Sequence, residues 1–375
     1  MRIAIDTHAI GSSLTGNERY IHNLAEQLLA LDQKNEYFFF FSQEAARRVW
    51  EGRAPNLTTY KVSENPLLRL GIDFPRQFWR LRPHLFHYQY TGPLFRITPE
   101  IVTIHDVSFE RHPEFFAASE GLRLRLTVRR AVKAARKIIT VSEFSKAEIV
   151  SLLGVPEQKV KVIYNGVSPE FGRARDSCEI HTCLERYSIQ KPYLLAVGNI
   201  SRRKNQLMMM RAFALWVKRN AHAEHRLVIA GKRQDHTQDV SAEAAQLGLD
   251  ERRLSILGYV PERDLPRLYA GADLLLNTSL YEGFGLPLIE AMRCGVPVIA
   301  SHASCFPEIA GDAARLVDPL NPGEIAEAIE DLIGSKALRD DLISRGLRRA
   351  QDFRWGNAAS QTLKVYDEAF YEGAG

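Results

Sequence analysis

Short runs of consecutive apolar residues alternate along this chain with stretches in which apolar positions return every three or four residues, the pattern of buried strands and of helices covering them. Strands are expected at 2–6, 37–41, 57–62, 85–88, 101–106, 138–142 and 160–164, and again at 193–197, 227–230, 254–257, 274–277 and 296–300. Residues 38–41 are four consecutive phenylalanines, which suits a strand covered on both faces. A helix is expected from about Asn17, where Leu24, Leu28 and Leu31 share a face, and others over 121–137, 143–152 and 358–371. The stretch 66–81, with Phe74, Phe78, Trp79 and three arginines, reads as a helix or a mobile loop that packs on its domain or offers its aromatic and basic side chains to a ligand. Strands alternating with helices in both halves imply two parallel sheets.

Length agrees with this division, since 375 residues suffice for two ordinary domains. The strand period lapses over 171–191, which is expected to be the linker. An amino-terminal domain over 1–172 and a second over 190–357 follow, with a last helix over 358–375.

Hydrophobic residues at 45% and charged residues at 25% are those of a globular protein, and a net charge of +4 is below that of a dedicated nucleic-acid binder. The opening residues are interrupted by charge too soon for a signal peptide, and no apolar run approaches the ~20 residues of a membrane span, so a cytoplasmic location is expected. The cysteines lack paired metal-binding spacing, although Cys178, His181 and Cys183 cluster. In the expected helix 121–137, Leu124, Val128, Ala131 and Ala135 form an apolar stripe. Arg125, Arg129, Arg130, Lys133, Arg136 and Lys137 supply charge that suits either a solvated face or peripheral contact with an anionic membrane.

Candidate chemistry collects at strand ends. Gly11, Ser12, Ser13, Gly16 and Asn17 follow the first strand, and His105 and Asp106 close another. The turn from Gly198 to Asn205 places Asn199, Arg202, Arg203 and Lys204 between a strand and a helix, which suits a diphosphate. From Tyr281 the chain reads Tyr-Glu-Gly-Phe-Gly-Leu-Pro-Leu-Ile-Glu, so Glu282 and Glu290 are separated by seven residues. Pro287 marks a helix start whose amino end favours phosphate, while the two carboxylates can accept sugar hydroxyls. Together they describe a nucleotide-sugar site.

Glu282 and Glu290, followed by Gly295, Pro297 and Val298, resemble the Glu-x7-Glu motif of retaining glycosyltransferases of family 4. The resemblance runs from the first loop to the last helix and implies a GT-B fold: two Rossmann-like α/β domains with parallel sheets facing a central cleft. Several motifs, including Arg-Arg-Lys-Asn at 202–205, look most like the bacterial O-antigen mannosyltransferase branch. That similarity implies transfer of mannose from GDP-mannose to a glycan or lipid-linked acceptor, with retention. It assigns Glu282 to the hexose, Glu290 to the ribose, Lys204 to the diphosphate and His105 to the transition state. Gly16, Gly283, Phe284, Gly285 and Leu286 would line the donor site, and Tyr259 and Val260 would read the base through backbone groups. Asn199 stands where relatives carry a phosphate-binding arginine, so Arg202 or Arg203 is expected to supply that charge. No Asp-x-Asp occurs in the sequence, and no metal or other cofactor is expected. A sugar-nucleotide epimerase of the same fold and a catalytically silent nucleotide-sugar-binding module are the alternatives.

Overall fold

The computed structural model describes residues 1–12, 15–93, 95, 98–172, 176–233 and 240–372, so Ser13 of the glycine loop lies outside the described residues. The chain divides into two units. The first comprises Met1–Gly166 and Arg354–Gly375, and the second Val167–Phe353.

The first unit is built on seven parallel strands: β1 (Arg2–Asp6), β2 (Glu36–Phe41), β3 (Leu57–Lys61), β4 (Leu85–Gln89), β5 (Glu100–Thr103), β6 (Lys137–Thr140) and β7 (Val160–Val162). Their order is β3-β2-β1-β4-β5-β6-β7, so the winding reverses between β1 and β4. Strand geometry divides the phenylalanines of β2 between the two faces: Phe39 and Phe41 join one core with Tyr37, while Phe38 and Phe40 join the other. Each fully buried ring contributes about 1.5–3 kcal/mol, so this one strand anchors both layers.

Helix α1 (Thr15–Leu31) follows β1 and buries Leu24 and Leu28. The stretch 66–81 is helical: Pro66–Leu68, a π-helical turn over Arg69–Asp73, then α2 (Phe74–Leu81). Phe74 and Phe78 stack at 5.7 Å and both meet Phe86, whereas Trp79 is 79% exposed.

Helix α3 (Ala118–Ala134) begins and ends three residues before the stretch expected over 121–137. Arg136 and Lys137 therefore leave its basic face. Arg136 donates to the carbonyl of Ala369 at 2.7 Å, and Lys137, buried at the start of β6, pairs with Glu372. Both side chains fasten the carboxy-terminal helix Trp355–Tyr371, which lies against α1 within this unit. Gly166 permits the close passage, since a Cβ there would stand 2.2 Å from the backbone nitrogen of Trp355.

The second unit has six parallel strands: β8 (Tyr193–Val197), β9 (Arg226–Ala230), β10 (Leu254–Gly258), β11 (Leu274–Asn277), β12 (Val298–Ser301) and β13 (Arg315–Val317). Their order, β10-β9-β8-β11-β12-β13, reverses between β8 and β11. The stretch 171–191, expected as a linker, instead carries α4 (Ser177–Arg186) inside this unit. Asp176 caps that helix, and Arg186 and Tyr187 both bond Asp264. The chain passes between units at Gly166–Val167 and at Phe353–Arg354. Helices α5 (Gln206–Arg219), α6 (Leu265–Gly271) and α7 (Leu286–Arg293) flank the strands that hold the candidate donor residues.

Candidate functional site

Parallel strands with this winding leave a crevice at their carboxyl ends where the order reverses, and the loops after β8 and β11 flank that point in the second unit. Gly198 leaves β8 with φ of +141°, and a Cβ on it would lie 3.1 Å from Cε of Lys204. Glycine thus allows the lysine stem to fold against the strand exit. Gly231 serves a similar purpose after β9: a Cβ there would stand 1.9 Å from the carbonyl oxygen of Gly198. Gln206, the first residue of α5, holds the loop from below, donating to the Asn199 carbonyl at 3.0 Å and accepting from the Ser201 amide at 3.2 Å.

The intervening turn Arg202–Lys204 is 3-10 helical and ends at Asn205, whose φ of +61° reverses the chain. Asn205 pins the reversal by donating to the carbonyls of Thr278 at 3.0 Å and Pro319 at 2.7 Å. Lys204 and Arg203 are thereby aimed at Glu282. The ammonium of Lys204 pairs with one carboxylate oxygen, and Nη1 of Arg203 lies 3.1 Å from the other. Arg203 Nη1 also donates to the Tyr281 carbonyl at 3.2 Å, and the Leu280 amide returns a bond to the Arg203 carbonyl at 2.8 Å.

Glu282 is buried, and burial by itself opposes ionisation. The two cations more than compensate and hold its carboxyl below the ordinary glutamate range. Of the two arginines considered for the phosphate charge, Arg203 joins the carboxylate, whereas Arg202 is exposed. Asn199 lies in the same loop and contributes its carbonyl to Gln206.

Gly283, Phe284 and Gly285 lead from Glu282 into α7. Gly285 caps the helix with φ of +82°, Leu286 begins it and Pro287 occupies its first turn. Glu290 is buried on this helix and accepts a hydrogen bond from Tyr269 on α6 at 2.9 Å. Sequence reading missed Tyr269, because its only local signal is a phenol on an otherwise apolar helix face. At the end of β10, Val260 is buried and Tyr259 is half exposed, with the ammonium of Lys232 4.7 Å from the ring centroid. Lys232, at the exit of β9, was not anticipated either.

Two expected site residues lie on the first unit. Gly16 is in the first turn of α1, and among the described residues nothing beyond its chain neighbours and its own helix lies within 4 Å of the position its Cβ would take. His105 follows the end of β5 by two residues, so β5 closes at Thr103 rather than continuing to Asp106. Its Nε2 lies 2.7 Å from the side-chain oxygen of Gln89 and its ring meets Tyr20 edge-on at 4.6 Å. An amide oxygen can only accept, so Nε2 carries the proton and Nδ1 presents a lone pair. Burial lowers the His105 pKa to about 4, and the imidazole is neutral near pH 7.

Cys178 and Cys183 do not build a metal centre with His181. Cys178 is exposed, Cys183 is buried, and His181 faces Glu185 at 3.1 Å. Among the described residues no group of three or more His, Cys, Asp or Glu side chains is placed to hold a metal ion.

Residues 186–349 match the family model described as Glycosyl transferases group 1, and residues 14–171 match that described as Glycosyltransferase Family 4. The chain is 31% identical to the O-antigen chain mannosyltransferase B of Escherichia coli, over 98% of this chain and 99% of that one. It is 28% identical to the serotype-specific mannosyltransferase WbdA of Escherichia coli over 62% of this chain and 29% of WbdA. Among solved structures, Anabaena HepE in complex with UDP-glucose matches with a TM-score of 0.77 at 20% identity, covering 98% of this chain and 100% of HepE. WaaG, a glycosyltransferase involved in lipopolysaccharide biosynthesis, matches with a TM-score of 0.72 at 14% identity, covering 97% and 99%. Identities this low establish likeness of fold.

The arrangement makes Lys204 the most direct test of a phosphate site. Lys204→Ala is expected to weaken binding of a nucleoside diphosphate by about 1.5–3 kcal/mol, the range of a charge-assisted hydrogen bond. Titration calorimetry with a panel of nucleoside diphosphates checks this, and an unchanged affinity would remove Lys204 from the candidate phosphate site.

Proposed function

The chain belongs to the group 1 glycosyltransferases with the GT-B fold, and we propose that it transfers mannose from GDP-mannose to a glycan or lipid-linked acceptor during cell-surface polysaccharide synthesis. The observation that carries this reading is the buried Glu282 held between Lys204 and Arg203 immediately before α7, with Glu290 buried on that helix. The name of the full-length relative supports transfer of mannose rather than epimerisation. Against a silent module stands the assembly of both glutamates with a lysine and an arginine at one strand crossover.

In this reading the diphosphate of the donor is held by Lys204, Arg203 and the amino end of α7, which stabilise the charge developing on the leaving group. These cations are already bound to Glu282, so the donor shares them with the carboxylate rather than meeting them free. Glu282 then orients the hexose hydroxyls. Glu290, held by Tyr269, accepts hydrogen bonds from the ribose. The acceptor hydroxyl attacks the anomeric carbon on the face the diphosphate leaves, the carbon–oxygen bond to phosphate breaks, and the departing GDP takes the acceptor proton. Neutral His105 offers Nδ1 as a hydrogen-bond acceptor to the sugar in the transition state. No step draws on a metal ion, because the leaving charge is met by side-chain cations.

An acceptor carried on a lipid would bring the enzyme to a bilayer. No described helix is long and apolar enough to cross a membrane. The first unit exposes Leu67, Ile72 and Trp79 near Arg76 and Arg80, and on α3 it exposes Leu122 and Leu126 near Arg123. Arg125 and Arg129 of the same helix are engaged by Glu110. We assign peripheral contact with anionic lipid to these exposed positions.

The two glutamates are expected to separate by ligand. Glu282→Ala should not weaken GDP binding, since the cations it holds are released to the diphosphate, while it should cut transfer strongly, because the hexose loses its placement. Glu290→Ala should weaken GDP and GDP-mannose alike, by about 1–3 kcal/mol. Calorimetry with both ligands decides, and the reverse pattern would invert the donor in the site. Full activity is expected in excess chelator; recovery of a chelated, inactive sample by magnesium or manganese would contradict metal independence. Binding to phosphatidylglycerol vesicles should blue-shift the emission of Trp79 and weaken with salt, whereas equal binding to neutral vesicles would discard the anionic contact.

A further inference from the structure

His87 is a buried imidazole that the proposed chemistry leaves unused. It sits in the middle of β4, paired with Ile5 on one side and Ile101 on the other, and has no solvent exposure. A strand position covered on both faces ordinarily carries Val, Ile or Leu, and an imidazole there is costly unless both ring nitrogens find partners. Both do. Nδ1 lies 2.7 Å from the Tyr366 hydroxyl on the carboxy-terminal helix, and Nε2 lies 2.7 Å from the Thr103 hydroxyl on β5.

The chain of contacts continues to His105. The Thr103 hydroxyl lies 3.0 Å from that of Tyr20 on α1, and the Tyr20 and His105 rings meet in a T-shaped contact, with centroids 4.6 Å apart and an interplanar angle of 80°. The other side of His105 is set by Gln89, two residues beyond His87 on the same strand and paired with Thr103. One line of contacts thus joins Tyr366, His87, Thr103, Tyr20 and His105 through four elements. Burial lowers the His87 pKa to about 3, so the ring stays neutral and acts as one donor and one acceptor between the two hydroxyls. A buried polar network with every member satisfied is rigid, and rigidity is what an orienting support needs.

We propose that Tyr366, His87, Thr103 and Tyr20 are positioning residues that fix the ring plane of His105, holding its Nε2 against Gln89 and through that bond its tautomer, so that seating of the carboxy-terminal helix on its own unit sets the transfer histidine. The inference rests on the reading of His105 as a transition-state group. Tyr366 lies 279 residues beyond His87, and the chain enters the second unit and leaves it again before that hydroxyl is in place. The histidine is therefore set only when the last helix has docked.

The test uses the full-length protein with Tyr366→Phe and Tyr20→Phe, which each remove one hydroxyl and keep the ring, and Val365→Ala as a control. Val365 is buried on the same helix and belongs to the core rather than to the polar chain. Nitrogen-15 NMR of the His105 imidazole is expected to show a changed balance of protonation between Nδ1 and Nε2 in both phenylalanine variants and the native balance in Val365→Ala. With GDP-mannose as donor and octyl α-mannoside as acceptor, kcat should fall by about tenfold in the phenylalanine variants. GDP-mannose affinity should stay within about twofold, because the donor residues lie elsewhere. A native His105 signal in Tyr366→Phe overturns the proposal, as does an equal change in Val365→Ala. Native turnover in His105→Asn would instead defeat the transition-state reading, and the NMR result would still decide whether the chain of contacts orients the ring.

Discussion

A carboxylate taken out of water must be neutralised where it lies, and Glu282 meets that requirement with Lys204 and Arg203. Removing one partner from such a buried pair typically costs about 3–5 kcal/mol, because the remaining charge is stranded. The surrounding structure is arranged to keep the partners in place. The 3-10 turn presents both cations, Asn205 ties its end to two carbonyls, and Gln206 closes the loop beneath it. The same arrangement ties the loop after β8 to the stretch that leads into α7.

Close backbone approach is the second constraint. Gly198 and Gly231 follow adjacent strands, and a side chain on Gly231 would occupy the carbonyl of Gly198. Gly231 in turn donates its amide to the carbonyl of Gly258 at 2.8 Å. Three strand exits therefore meet as bare backbone beside the lysine loop. Bare backbone at strand ends is what a nucleotide can lie against, and Tyr259 with Lys232 borders it.

How much of this was legible depended on whether the signal was local. Apolar runs marked the central strands because those strands are buried on both faces, and the phenylalanines of β2 are distributed between two cores as alternation requires. Glu282, Glu290, Lys204 and the start of α7 could be read because a short stretch holds each pattern. The limits of α3 were misread because Arg136 and Lys137 continue the basic composition while serving the carboxy-terminal helix. Helix α4 passed for linker because it is short, and its partner Asp264 lies 78 residues beyond Arg186. The three residues of β13 are too few to show a period. Tyr269, Gln206 and the line from Tyr366 to His105 carry no local mark, since each is defined by a partner on another element.

The clasp on Glu282 is most directly measured by a double-mutant cycle in urea unfolding with Glu282→Gln, Lys204→Met and the pair combined. If the carboxylate and the ammonium neutralise one another in the folded chain, the double variant should be less destabilised than the sum of the single variants by at least about 1 kcal/mol. Losses that add to within about 0.5 kcal/mol would mean that the two charges do not interact, and would contradict the account of how this site is held.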